Sequence, residues 1–168
     1  MTVPVSVVCS DERSEGVAER PLDLDRWVRL AEQVLIAEEA GGELTLTFID
    51  EADMAELNEE HMGKAGSTDV LSFPLDEPDD DDPLPGMPTL LGDIVISPAV
   101  ATRQFAEHAG TFDDEIALLV VHGVLHILGH DHAEPDEAAV MRSLELEHLS
   151  AHHWHGPPPA GFRQTHDA

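Results

Sequence analysis

Three histidines with metal-ligand spacing stand in the stretch TFDDEIALLVVHGVLHILGHDH (111–132): His122, His126 and His132. Residues four apart on a helix lie on one face, one turn above the other. His122 and His126 can therefore share one metal ion. Gly129 can take the left-handed conformation that ends a helix, letting the chain turn back and bring His132 to the same ion. Three neutral imidazoles with an open fourth position make a catalytic zinc site rather than a closed structural one, so the spacing predicts one Zn²⁺ per chain. Ile116, Leu118, Leu119, Val120, Val121, Val124, Leu125, Ile127 and Leu128 make the segment apolar nearly all round, which predicts a buried helix. Two histidines at ligand spacing on such a helix are better explained by one metal than by two separate hydrogen-bond partners. The alternative is a set of core histidines bonded to backbone. Thr111 suits the N-cap, and Asp113, Asp114 and Glu115 suit the positive end of the helix.

The histidine and glycine offsets are those of the metzincin pattern H-E-x-x-H-x-x-G-x-x-H. Gly123 stands where that pattern has its glutamate general base. Glycine inside a helix costs about 1 kcal/mol relative to alanine, so its presence predicts a close neighbour, either substrate or an adjacent strand. Without the glutamate, water would have to be activated from elsewhere.

HGVLHILGHDH resembles the HGxLHLxGYDH signature of the YbeY family, bacterial metal-dependent endoribonucleases of ribosomal RNA maturation. The likeness takes in LNEEHMGKAGSTDVLSFP (57–74), LGDIVIS (91–97), Glu115 to Gly123, and Met141 with Glu147. It implies a small mixed sheet covered by helices, with the metal site at one end of the buried helix. It also implies a single-stranded RNA or ribosomal RNA precursor as substrate, a role in ribosome quality control, and ribosomal small-subunit proteins or an assembly GTPase as partners. Lys64 matches a family lysine of the active-site cleft, whereas the neighbouring arginine position is Met62, which removes a phosphate or transition-state contact. Arg103 is a candidate to replace it in space. Asp131, beside the third histidine, is a candidate base or support for the ligands. His130, where the family has tyrosine, is a second candidate for proton transfer. Glu147 matches a family glutamate that can orient a ligand histidine.

At 168 residues the chain is one domain with its own core. No stretch approaches the roughly 18–20 apolar residues of a membrane span. The N-terminal sequence lacks the features of a signal peptide, and the lone Cys9 allows no internal disulfide, which predicts a cytoplasmic protein. The net charge of −27, with eight Lys and Arg, argues against nucleic acid, which is bound through clustered cations. The resemblance argues for it. A small basic cleft offset by acidic surface, or RNA already held by a partner, reconciles the two; an acid-rich surface also suits solubility or high salt.

The elements that must position the histidines follow from periodicity. Strands are predicted at 3–9, 43–50, 70–74 and 90–97. Helices are predicted from Leu24 to about Ala40, over 51–61, from Pro98 to about His108, and over 135–151. His61, on the inner face of the second helix, is a weak candidate for a fourth ligand. The acidic, proline-rich stretch 76–88 is predicted to be a mobile loop, and it lacks the EF-hand pattern for calcium. The His- and Pro-rich stretch 152–168 is predicted to be a disordered tail, leaving 1–151 as a single catalytic domain. The element order predicts an α+β fold; the resemblance implies that its sheet of about four strands is mixed and covered by helices, with a zincin-like metal site on a buried central helix. Two other functions remain open: a zinc metalloprotease-like hydrolase of another substrate, and a weakly catalytic ribosome-assembly factor.

Overall fold

The computed structural model of the chain describes residues 4–14, 21–75 and 89–164. The loop expected at 76–88 lies outside them. Four strands form one sheet in the order β1 (Val5–Asp11), β2 (Gly42–Phe48), β4 (Leu90–Ile96), β3 (Val70–Pro74). The first three are mutually parallel, with Val5 opposite Gly42 and Phe48 opposite Ile96; β3 runs antiparallel along β4, with Val70 opposite Ile96. The sheet is thus mixed, and β3 is one of its edges. Five helices accompany it: α1 (Leu24–Ala37), α2 (Glu51–Met62), α3 (Pro98–Gln104), α4 (Phe112–Ile127) and α5 (Pro135–Leu149). No helix among the described residues is long and apolar enough to cross a membrane.

In β2, Leu44, Leu46 and Phe48 alternate with half-exposed Glu43, Thr45 and Thr47, so one face of the strand is fully buried. That face meets α1 and α4. Helix α1 starts at the Asp23 cap, whose carboxylate accepts the Arg26 backbone N–H, and buries Trp27, Leu30, Ala31, Val34 and Leu35 at helical spacing. Helix α4 is buried along almost its whole length and lies at the centre of the main core, as its uninterrupted apolar sequence requires. A smaller cluster of Ile49, Met54, Leu71 and Val95 seats α2.

At Gly123, α4 lies close against the sheet. A Cβ built there would stand 2.8 Å from Cγ2 of Ile94, which is fully buried on β4. The close neighbour predicted for this glycine is therefore a strand.

Boundaries shift by two to four residues in several places. The third helix ends at Gln104 instead of about His108, because Gly110 N–H and His108 N–H both return to the Phe105 carbonyl and close the chain into turns. The disordered tail expected from residue 152 is corrected for its described part. After a π-helical turn at Ser150–Trp154, His153 Nε2 and Trp154 Nε1 reach Asp114 Oδ1 at 2.7 and 2.9 Å. Phe162 packs edge-on against Trp154, and Arg163 N–H donates to the His108 carbonyl. Aromatic residues on either side of the prolines supply the apolar contact that composition alone hid. Residues 165–168 lie outside the described part.

Candidate metal centre

Helix α4 carries two of the three histidines and a tight turn returns the third. Thr111 caps the helix by accepting the Asp114 N–H. At the other end Gly129, at φ 102°, takes the left-handed conformation, and His130 N–H closes back on the Leu125 carbonyl. The imidazoles of His122, His126 and His132 gather at this corner. Their ring centroids are 6.3 Å apart for 122 and 126, 5.4 Å for 122 and 132, and 6.4 Å for 126 and 132. The first two rings are nearly parallel, as residues one turn apart on one face should be. Among the described residues, no three His, Cys, Asp or Glu side chains converge tightly enough to form a finished metal cage.

The donor chemistry nevertheless fits a metal. His122 is buried, and its Nδ1 lies 2.7 Å from Glu145 Oε2. His126 Nδ1 lies 3.1 Å from the His130 carbonyl oxygen. In each ring an acceptor fixes Nδ1 as the protonated nitrogen, which makes Nε2 the nitrogen with a lone pair for a metal. Metal-bound histidines are held by such partners. Burial holds the His126 pKa below its ordinary value, against the opposing pull of the His130 carbonyl, so the ring stays neutral at neutral pH.

A cleft of about 440 Å³ opens beside the histidines. Part of its lining is the loop between α2 and β3, which carries Lys64. The loop is pinned by the Asn58 side-chain N–H on the Gly66 carbonyl at 2.8 Å and by Ser67 Oγ on Glu51 at 2.8 Å. Lys64, Met62, His122, His126, Asp131 and His132 all line this cleft. Asp131 Oδ1 accepts the His132 backbone N–H at 2.7 Å and so holds the turn that presents the third histidine.

Other expectations need correction. Glu147 is exposed; the carboxylate on His122 is Glu145. The buried face of α5 runs through Ala138, Met141, Glu145 and Leu149, and a glutamate in that apolar stripe was the missed signal. Arg103 does not reach the cleft, because both its terminal nitrogens are bound to Glu51. The His130 side chain lies 3.8 Å from Glu38, outside the cleft; its carbonyl, not its ring, serves the site. His61 is exposed against Phe73 and lines no part of the cleft. Cys9 is no nucleophile: burial, assisted by Asp11, pushes its thiol up to about 11.

Burial also lowers the His153 pKa, although the ring touches Asp114 at 2.7 Å. Burial outweighs the carboxylate here, so this contact is a hydrogen bond from a neutral imidazole and not an ion pair. The stability consequence has a definite sign. Unfolded histidines take up protons near pH 6.5, while His126 and His153 in the folded chain resist until lower pH, so protons favour the unfolded state. The metal-free protein is expected to melt at a lower temperature at about pH 5.5 than at about pH 7.5. A melting temperature unchanged over that range would refute the neutral-ring description.

The family model described as Endoribonuclease YbeY matches residues 13–153. Proteins named endoribonuclease YbeY are similar over most of the chain. The one from Thermobifida fusca is 48% identical over 134 residues, covering 77% of this chain and 86% of its own. That from Acidothermus cellulolyticus is 44% identical over 160 residues, covering 88% and 91%. A Thermotoga maritima protein with a known solution structure shares the fold at a TM-score of 0.54 and 22% identity, over 89% of this chain and 91% of that one. With a matching family model over most of its length and relatives at this level of identity, the chain belongs to the YbeY family of endoribonucleases.

Proposed function

We propose that the chain is a zinc-dependent endoribonuclease that cuts single-stranded RNA during ribosomal RNA maturation and quality control. The observation that carries this reading is the histidine trio lining one cleft together with Lys64. The family to which the chain belongs supplies the substrate class.

His122, His126 and His132 would hold the ion. Zinc bound there supplies Lewis-acid polarisation of a phosphoryl oxygen and lowers the pKa of water toward about 7. Glu145 and the His130 carbonyl keep two of the imidazoles in the tautomer and orientation that ligation needs. The Lys64 ammonium faces the same cleft and offsets negative charge that builds on the phosphodiester. Asp131 holds His132 in place through the backbone, and its carboxylate is the candidate base lining the cleft. The partners that fit this reading are an rRNA precursor and, as carriers of that RNA, ribosomal small-subunit proteins or an assembly GTPase in the cytoplasm.

A weakly catalytic assembly factor is the second reading. Met62 favours it, because that residue lines the cleft where a cation is missing. One experiment separates the two. Full-length protein is incubated with labelled single-stranded RNA carrying a ribosomal precursor end, before and after chelation, and again after adding zinc. Cleavage that disappears on chelation and returns with zinc supports the enzyme. Cleavage indifferent to chelation refutes zinc dependence. Binding without cleavage in all three samples favours the assembly factor.

A further inference from the structure

We infer that Arg142 binds the RNA phosphate next to the one being cleaved, across the histidines from Lys64. The inference rests on the endoribonuclease reading and deepens it. In a chain carrying 35 acidic and eight basic residues, most cations should be neutralised by neighbouring carboxylates. Several are. Arg13 pairs with Asp11, Arg26 with Asp113 and Arg103 with Glu51. Four described cations, Arg29, Lys64, Arg142 and Arg163, form no ion pair among the described residues, and of these Lys64 and Arg142 line hollows shared with His122 and His132.

Their placement gives this a meaning. His122 and His132 line two hollows. One is the cleft with Lys64; the other, of about 240 Å³, is lined by Arg142, Met141, Glu145 and Gln164. The histidine corner is thus the ridge between two depressions, each with one uncommitted cation. The carboxylate in the second depression is already engaged: Glu145 Oε2 meets His122 and Oε1 accepts from Gln164 Nε2 at 2.9 Å. Among the described residues it makes no ion pair with Arg142.

A single strand laid over the ridge carries a phosphate at every nucleotide. With one phosphate at the histidines, its neighbours fall into the two depressions, where an ammonium and a guanidinium wait. Guanidinium is well matched to phosphate, which it grips through two parallel N–H donors. Arg142 on this account takes over part of the work that an arginine at position 62 would do, from the opposite side. It also explains how an acidic chain binds RNA: binding needs a few unpaired cations at the site, not a basic surface.

Fluorescence anisotropy with a short labelled single-stranded RNA tests this, using full-length, zinc-loaded protein over a series of salt concentrations. Arg142→Ala is expected to weaken binding about tenfold at low salt and to flatten the slope of log affinity against log salt by about 0.7, the value of one phosphate contact on a single strand. Lys64→Ala is expected to do the same. Arg142→Lys should keep the slope and lose part of the affinity, because the charge remains without the fork. Zinc content and melting temperature should match the parent in all three. An Arg142→Ala protein with the parent's affinity and slope, alongside a weakened Lys64→Ala protein, overturns the role of Arg142 and leaves the nuclease reading standing. A parent that neither binds nor cleaves RNA overturns both.

Discussion

Replacing His126 with alanine is expected to abolish RNA cleavage, a fall of about three orders of magnitude or more, in a chain that remains folded. The size of the effect follows from the position. His126 is half-buried on the last turn of α4, at the lip of the cleft, so the lost packing is small. Its chemistry is not small. In the proposed zinc site the ring would provide one of three ligands, and its Nδ1 hydrogen bond to the His130 carbonyl anchors the turn that carries His132. Removing the side chain therefore deletes one donor and loosens another. Zinc content measured on the purified variant should fall together with activity, while the far-ultraviolet circular dichroism spectrum stays that of the parent. A variant that cleaves as fast as the parent would show the activity to be a contaminant.

Gly123→Glu is expected to destabilise the fold by about 4 kcal/mol or more, enough to unfold a marginal domain. This single substitution would complete the metzincin sequence pattern, and on paper it creates a peptidase base. In the structure the site has no room for it. The new Cβ would stand 2.8 Å from a branch methyl of Ile94, and that side chain is enclosed on the sheet. Overpacking costs about 1–3 kcal/mol, and a carboxylate driven into the helix–sheet interface adds a larger penalty. Better helix propensity returns only about 1 kcal/mol. Urea denaturation should show a much lower midpoint, or no folded baseline, and no peptidase activity should appear. Gly123→Ala, which meets the same methyl without the charge, should fall between the two proteins. A stable Gly123→Glu protein would mean that Ile94 can yield and that α4 is less tightly seated than described.

Much of the fold could be read before the structure was seen, and the reason is local. The alternation in 43–50, the apolar stripe of α1 from Trp27 to Leu35 and the continuous apolar run of α4 each report burial directly. The α+β class follows from these, whereas the mixed direction of the strands came from the family resemblance and is borne out by β3 running antiparallel along β4. The pairing of His122 with His126 was legible because helical periodicity alone puts them on one face, and the return of His132 because Gly129 marks the stop. Sequence spacing failed where a contact depends on how two elements cross. The sequence pointed to Glu147 and missed Glu145; only the packing of α5 on α4 decides that Glu145 faces His122. Arg103 was equally plausible as a substitute for the missing arginine until Glu51 was seen to occupy it. The tail was misread because a composition rich in Pro, Gly and His does not reveal that Trp154 and Phe162 meet each other and the body of the protein.

The tail also bears on how the protein should be handled. Gln164 Nε2 sits between the Arg142 carbonyl and Glu145 Oε1, so a residue far along the chain steadies the carboxylate that steadies the first histidine. A biochemist wishing to count bound zinc would be tempted to cut away the histidine-rich end as a source of stray metal. That trimming would take Gln164 with it, and if the proposed zinc site exists, a low zinc count would then reflect the lost brace on Glu145. His152 and His155 can be replaced individually on the intact chain, leaving His153 in place because it bonds Asp114. Any affinity tag placed after residue 164 belongs under the same scrutiny, since it extends the very stretch of chain that reaches back to the histidine corner.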